Sequence, residues 1–236
     1  MIEGIFGNSN TFALWLLTAF GYYLISNINP NIRYPMLFIT LLLIVLTGSR
    51  TTLLSLLIML LGIRFVRFNK LFTPKHFIFV LFTLLFLTTY AYLWLYNSKY
   101  GVALNLWSNE AFDKNFFSGR QVIWAEALDK MEGIYWLIGF GSGATGKSFL
   151  DIDLSIHNSY LQILIQSGLI GVVLITSAFI ALYRKVVLDE WSRKSLFITV
   201  AILICANFEV ILFQNKLSVF IFMLPIIISC GCNKRY

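Results

Sequence analysis

The chain has 236 residues, of which 58% are hydrophobic and only 12% charged. A soluble domain carries about 25% charged residues, so a water-soluble globular fold is excluded, and the nearly continuous apolar run from Phe77 to Tyr96 argues against a β-barrel, whose strands alternate over about 10 residues. The net charge of +7 does not point to nucleic acid, because the Lys and Arg residues sit in short segments between apolar runs, where they act as topology signals.

These features predict an all-α, multi-pass transmembrane helical bundle of about seven spans, forming a single membrane domain over residues 1–236. The opening residues lack the basic region of a cleavable signal peptide, so none is expected. The first spans fall at 11–26, 35–47 and 51–66. The second and third are short for a bilayer of about 30 Å and flank Gly48-Ser49-Arg50. A helical hairpin dipping from one face is expected there. One continuous helix would instead bury Arg50 near the bilayer centre, at a cost of about 2.5–3.5 kcal/mol.

The fourth span, 76–96, leads into a polar loop of about 60 residues, 97–157, containing short helices. Within it, Val122–Met131 reads as an amphipathic helix with Val122, Ile123, Ala127, Leu128 and Met131 on one side and Trp124 nearby. Gly141–Ser148 matches the phosphate-binding pattern GxxxxGK[ST] letter for letter. That pattern needs a strand before it and a helix after it. Tyr135–Phe140 could pass for the strand, but Phe149-Leu150-Asp151-Ile152 is no convincing helix. A flexible glycine-rich loop that moves over a substrate is the expected reading.

The remaining spans are 158–182, 195–213 and 217–231. The loops between spans alternate sides. Arg33, Arg64, Arg67, Lys70, Lys75, Arg184, Lys185, Arg193, Lys194, Lys234 and Arg235 share one side, in short segments. The positive-inside rule makes that side cytoplasmic, with the C-terminus, and the long loop extracytoplasmic. Asn8, Asn10, Arg50, Arg120 and His157 then fall on one outer face. Cys205, Cys230 and Cys232 all lie outside the long loop, so no disulfide framework is implied.

Among the polar residues, His157 has the type and position for chemistry, because imidazole exchanges protons near neutral pH. The alternative is a helix-capping or interfacial histidine. Asn158 or Ser159 could cap the helix that follows. Arg50 and Arg120 present planar forks suited to phosphate or carboxylate, or else are interfacial and surface arginines. Glu209, near the outer end of the sixth span, is either a functional intramembrane acid or a partner for Lys216. His76 reads as an interfacial anchor. The abundant aromatics are given no role. No metal-ligand cluster stands out, and a Mg²⁺ site at Asp151 and Asp153 has no support.

Four landmarks in order resemble the bacterial O-antigen ligase and polymerase superfamily, which includes capsule and exopolysaccharide polymerases. They are Gly4-Ile5-Phe6-Gly7-Asn8-Ser9-Asn10, with Ser9 where proline is usual, Thr47-Gly48-Ser49-Arg50-Thr51, Ser118-Gly119-Arg120 with Trp124 and Leu137-Ile138-Gly139-Phe140-Gly141, and His157-Asn158-Ser159-Tyr160-Leu161 with Gly168 and Gly171. Relatives have ten or more spans, so the chain is expected to be the C-terminal portion of a larger member.

The resemblance implies a multi-pass protein of the bacterial cytoplasmic membrane. Its implied activity is metal- and cofactor-free glycosyl transfer from an undecaprenyl-diphosphate-linked glycan at the outer face. On that reading Arg50 and Arg120 hold the diphosphate, and His157 takes the acceptor proton or binds the diphosphate. Asn8, Asn10, Asn158, Tyr160 and Glu209 are candidate substrate contacts. The expected function is polysaccharide polymerase. The alternatives are ligation of glycan to lipid A core or protein, and a transporter or inactive fragment. Expected partners are the lipid-linked oligosaccharide and membrane lipids, with a chain-length regulator or flippase as candidate proteins, and no nucleic acid.

Overall fold

The computed structural model describes residues 8–65, 74–113, 115–146, 150, 155–183 and 190–210. The expected seventh span, Lys147, Asp151, Asp153, Lys216, Cys230 and Cys232 lie outside them. The described residues are helical, with no strand among them. The helices are α1 (Ser9–Ile25), α2 (Pro30–Thr47), α3 (Arg50–Phe65), α4 (Pro74–Tyr96), α5 (Lys99–Phe112), α6 (Arg120–Asp129), α7 (Tyr135–Ile138), α8 (Ser159–Tyr183) and α9 (Glu190–Cys205). Among them, Pro30–Thr47, Phe79–Tyr96 and Ser159–Ala181 are long and apolar enough to cross a membrane. The chain divides into two compact units, Met1–Phe77 with Ile180–Tyr236, and Ile78–Phe179.

The first unit contains α1, α2, α3 and α9. Asn8 caps α1, its Oδ1 accepting from the N–H groups of Asn10 (2.8 Å) and Thr11 (3.3 Å). Helix α1 is buried on most sides, through Ala13, Leu14, Leu17, Phe20 and Ile25. Apolar association between helices is weak in lipid, so close packing of small residues carries much of it. Gly21 and Gly62 serve this purpose: a Cβ on either would run into Ile198 or the Phe197 ring of α9. The buried Cys205 thiol joins α9 to Ser55 of α3 (3.3 Å).

The helix break expected around Gly48 is present, but α2 is longer than the 35–47 span. It starts at Pro30 because Asn29 Oδ1 accepts from Asn31 N–H (3.0 Å) and Pro30 presets the first helical φ. Gly48 ends it in the left-handed conformation (φ 67°). Helices α2 and α3 are separate rather than one continuous span, and α2 packs mainly on α1 and α3 mainly on α9. Helix α9 also departs from the expected span 195–213. It ends at Cys205 and tightens into turns over Ala206–Glu209.

In the second unit, one face of α4 meets α8, its cap, and the turn that leads into α6. Phe82 and Phe86 pack their rings against Tyr160 of α8, and Phe82 also meets Phe179. Thr89 Oγ1 accepts from the Asn158 amide (3.0 Å). Tyr92 and Tyr96 pack on Phe117, and Tyr92 on Trp124. The steps from 82 to 86, 89, 92 and 96 follow the three-four spacing of one helix face.

Helix α8 is not continuous. Gly168 has φ 59° and ψ −165°, a conformation open only to glycine. The break frees the carbonyls of Ile165 and Gln166, which accept from Phe140 N–H (2.8 Å) and Gly141 N–H (2.9 Å) of the loop. Two glycines make this approach possible. A Cβ at Gly168 would lie 2.3 Å from the Leu137 backbone, and one at Gly139 2.5 Å from that of Gln166.

Candidate functional site

The Ser118-Gly119-Arg120 landmark is a tight turn. Arg120 N–H donates to the Phe117 carbonyl (3.3 Å), and both central residues have positive φ, Ser118 at 56° and Gly119 at 78°. Phe117 anchors the turn by burial, and its carbonyl accepts from the Tyr92 hydroxyl. Arg120 becomes the first residue of α6 after a cap with no side-chain hydrogen bond. A cation at a helix N-terminus opposes the helix dipole, so helix stability does not explain this arginine. The half-exposed Arg120 adds its charge to the positive end of the α6 dipole.

The inward face of α6 differs from the expected one. Trp124 and Ala127 are buried, with Met131 just beyond the helix, whereas Val122 is exposed. Trp124 decides the rotation, because its ring packs on Tyr92 while its indole N–H donates to the Ile156 carbonyl (2.8 Å). A buried indole needs both an apolar bed and an acceptor, and only this rotation supplies them. Arg120 lies one turn before Trp124, on the same side of α6.

The Ile156 carbonyl leads directly to the histidine motif. His157 is half-exposed and has φ 52°. Its N–H donates to Ser155 Oγ (3.2 Å). On either side the chain is fixed by buried residues. Ile156 is held by Trp124. Asn158 Oδ1 accepts from the N–H groups of Tyr160 and Leu161 (both 3.0 Å), while its amide donates to Thr89. Asn158 is therefore the helix cap, which rules out capping as the role of His157. A left-handed, non-glycine residue pinned from both sides is the kind of strained position that surrounding structure must over-determine. Tyr160 is fully buried among Phe82 and Phe86.

The start of the glycine-rich loop is tied down, while Lys147 and Ser148 lie outside the described residues. Gly139–Ala144 is tied to α8, with Gln162 Nε2 donating to the Ala144 carbonyl (2.6 Å) and Gln166 Nε2 to the Ser142 (3.0 Å) and Ala144 (3.2 Å) carbonyls. The element before it is the helical turn α7, with Tyr135 stacked on Phe140 (4.1 Å between centroids). The strand required by a phosphate-binding loop is absent there. A separate open cleft of about 490 Å³ lies between the end of α4 and α6, lined by Tyr96, Asn97, Gln121, Glu126 and Asp129 among others. The buried Gln121 Oε1 has no hydrogen-bond partner.

The remaining candidates lie in the first unit. Arg50 is exposed and is the first residue of α3. The turn before it is fixed by Ser49, whose buried hydroxyl pairs with that of Thr52 (3.0 Å). Asn10 Nδ2 donates to Glu209 Oε1 (2.8 Å), joining the start of α1 to the turn after α9. Thus Arg50, Asn8, Asn10 and Glu209 belong to one unit, and Arg120, His157, Asn158 and Tyr160 to the other. Among the described residues, no group of three or more His, Cys, Asp or Glu side chains could hold a metal ion.

Sequence reasoning missed Tyr92 and Thr89, which together with Trp124 fix the two landmark turns. Their signal is the three-four spacing from Phe82 to Tyr96, hidden because α4 is apolar all round.

The fold and the site define an all-helical integral membrane protein whose inter-helix loop presents an arginine and a histidine from rigid turns. A family model described as O-antigen ligase matches residues 35–176. That match spans more than half of the chain and takes in Arg50, Arg120 and His157, and the chain belongs to the O-antigen ligase family. No curated protein and no solved structure matches it.

Proposed function

We propose that this protein is a polysaccharide polymerase, which transfers an undecaprenyl-diphosphate-linked glycan onto an acceptor sugar at the outer face of the bacterial cytoplasmic membrane. The chain crosses the membrane about seven times, 217–231 being the last span. The loop 97–157 is extracytoplasmic and the C-terminus cytoplasmic, as the basic segments favour. Family membership supports glycosyl transfer of the ligase and polymerase type.

In the proposed reaction, an acceptor hydroxyl oxygen bonds to the donor's anomeric carbon. The bond from that carbon to the diphosphate oxygen breaks, and undecaprenyl diphosphate leaves with the electron pair. The hydroxyl proton passes to the His157 imidazole, a general base of the usual type for such a step. In the second assignment for His157, its imidazolium hydrogen-bonds the diphosphate. Arg120 neutralises charge developing on the leaving group. Arg50 takes the same task on the strength of its motif. Asn158 and Tyr160, being buried, act on the substrate through His157. Asn8, Asn10 and Glu209 are secondary candidates for sugar contact.

The observation that carries this reading is the pinned, left-handed His157 beside the carbonyl that Trp124 holds, one helical turn from Arg120. A second reading, ligation of finished glycan to lipid A core or protein, is favoured by the description of the matching family. Deleting the gene and analysing surface glycan separates the two. Loss of long chains with single repeat units still attached is expected for a polymerase. Loss of every attached unit would establish the ligase instead, and unchanged glycan would overturn both.

A further inference from the structure

The stretch Gly133–Gly141 reads Gly-Ile-Tyr-Trp-Leu-Ile-Gly-Phe-Gly, without a charged side chain. Ile134, Tyr135, Leu137 and Ile138 are 57, 43, 48 and 52% exposed. A water-facing loop does not ordinarily present so many large apolar side chains together.

The backbone says what surrounds them. Tyr135 N–H donates to the Glu132 carbonyl, Trp136 to Gly133, Leu137 and Ile138 to Ile134, and Gly139 to Tyr135. Phe140 and Gly141 donate to Ile165 and Gln166 of the broken helix α8. Every N–H from Tyr135 to Gly141 is thus satisfied inside the protein. A loop in water has no need of this, whereas hydrocarbon demands it of any irregular backbone.

Position points the same way. Leu137 touches α8 at Gly168. Just beyond that break Leu169, Ile170, Val173 and Leu174 are exposed, forming the outward face of a helix long and apolar enough to cross a membrane. From Leu169 to Tyr183 the helix rises only about 22 Å at 1.5 Å per residue, and Arg184-Lys185 follow in sequence. A bilayer core of about 30 Å therefore extends past Gly168, to the level where Gly133–Gly141 is bound.

We propose that Gly133–Gly141 is a re-entrant segment immersed in the bilayer leaflet on the loop's side, its exposed side chains covered by the phospholipid acyl chains that surround the second half of α8. Its internal turns and its bonds to Ile165 and Gln166 let Tyr135–Gly141 enter hydrocarbon without an orphaned N–H.

The test uses the full chain in phosphatidylethanolamine–phosphatidylglycerol vesicles, with a photoreactive diazirine amino acid at Ile138. The same probe at Leu174 is the lipid control, and at Glu126, on α6, the water control. Ile134 is a second probe site, so the test does not hang on one substitution. Mass spectrometry is expected to find phospholipid adducts at Ile138 and Ile134 comparable with Leu174 and about tenfold above Glu126, as for a membrane-embedded surface. Water adducts alone at both positions, or cross-links to a second copy of the chain, would overturn the proposal.

Discussion

The two units of this protein use helices in different ways. In the first, α1, α2, α3 and α9 are regular, and glycines at 21 and 62 let them pack closely. Its one described positive-φ residue is the helix-ending Gly48. In the second, the positive-φ positions include the non-glycine residues Asp113, Ser118 and His157. There the helix α8 is broken, and two turns are clamped to a single face of α4. Regular packing suffices to build a membrane scaffold. Unusual backbone persists only where neighbours enforce it, and the enforced turns here are the ones that carry Arg120 and His157.

Substitutions can break that contrast, and the largest effect belongs to His157. Replacing it by Ala is expected to lower the rate of polymer formation by about 10²–10⁴-fold, the usual contribution of a general base, with folding unchanged because the side chain is half-exposed. Gel analysis of glycan length in cells, alongside protein yield in the membrane, checks this. His157→Gln, which keeps a hydrogen bond but no base, is expected to be as inactive if the imidazole takes the proton. It retains part of the activity if the diphosphate is its ligand.

Gly168→Ala comes next and acts on stability. The new Cβ meets the Leu137 backbone, and the local conformation excludes a side chain, so a loss of about 3 kcal/mol or more is expected. The readout is the thermal midpoint of the detergent-solubilised protein. Gly171→Ala, by contrast, meets only the Ser167 side chain and is expected to cost less.

Trp124→Phe keeps an aromatic ring, though a smaller one, and leaves the buried Ile156 carbonyl without its donor. An unpaired buried acceptor costs about 1–3 kcal/mol. The expected outcome is a modest fall in the thermal midpoint with a partial loss of activity, because His157 loses one of its two anchors. Val122→Ser should be the mildest change, within about 0.5 kcal/mol, as is usual for exposed positions. A loss larger than that of Trp124→Phe would mean that α6 faces the other way.

Much of the scaffold was legible in the sequence because apolar runs in a membrane protein are long and unambiguous. The break at Gly48-Ser49-Arg50 was readable from the cost of burying Arg50. The start of α2 was not, since Asn31 and Arg33 interrupt the apolar run although Asn29-Pro30 is a good helix start. The kink at Gly168 was invisible because apolar residues continue unbroken through it. Only the partner segment at Leu137–Gly141, remote in sequence, explains it. Periodicity misplaced the face of α6, counting Val122 as inward when the demands of one indole ring outweigh several aliphatic side chains. The letters of Gly141–Ser148 matched a phosphate loop, yet Gln162 and Gln166 tie its start down as a strap on α8.

At the site, Arg120 and His157 stood out by residue type and motif. What holds them did not, because Phe82, Phe86, Thr89, Tyr92 and Tyr96 are dispersed in an all-round apolar helix. Asn158 was legible as a helix cap, and the structure assigns the cap to it rather than to Ser159. Asn8 and Asn10 were picked out by their landmark as candidate substrate contacts. Capping α1 and bonding Glu209 are roles that only the folded chain reveals.

The most direct test of the account gives purified, membrane-reconstituted protein an undecaprenyl-diphosphate-linked repeat unit and follows glycan length together with release of undecaprenyl diphosphate. Lengthening coupled to that release, abolished by His157→Ala in an equally well-folded sample, is the predicted result. Equal lengthening by the wild type and the variant, or none by the folded wild type with its lipid-linked substrate, would contradict it.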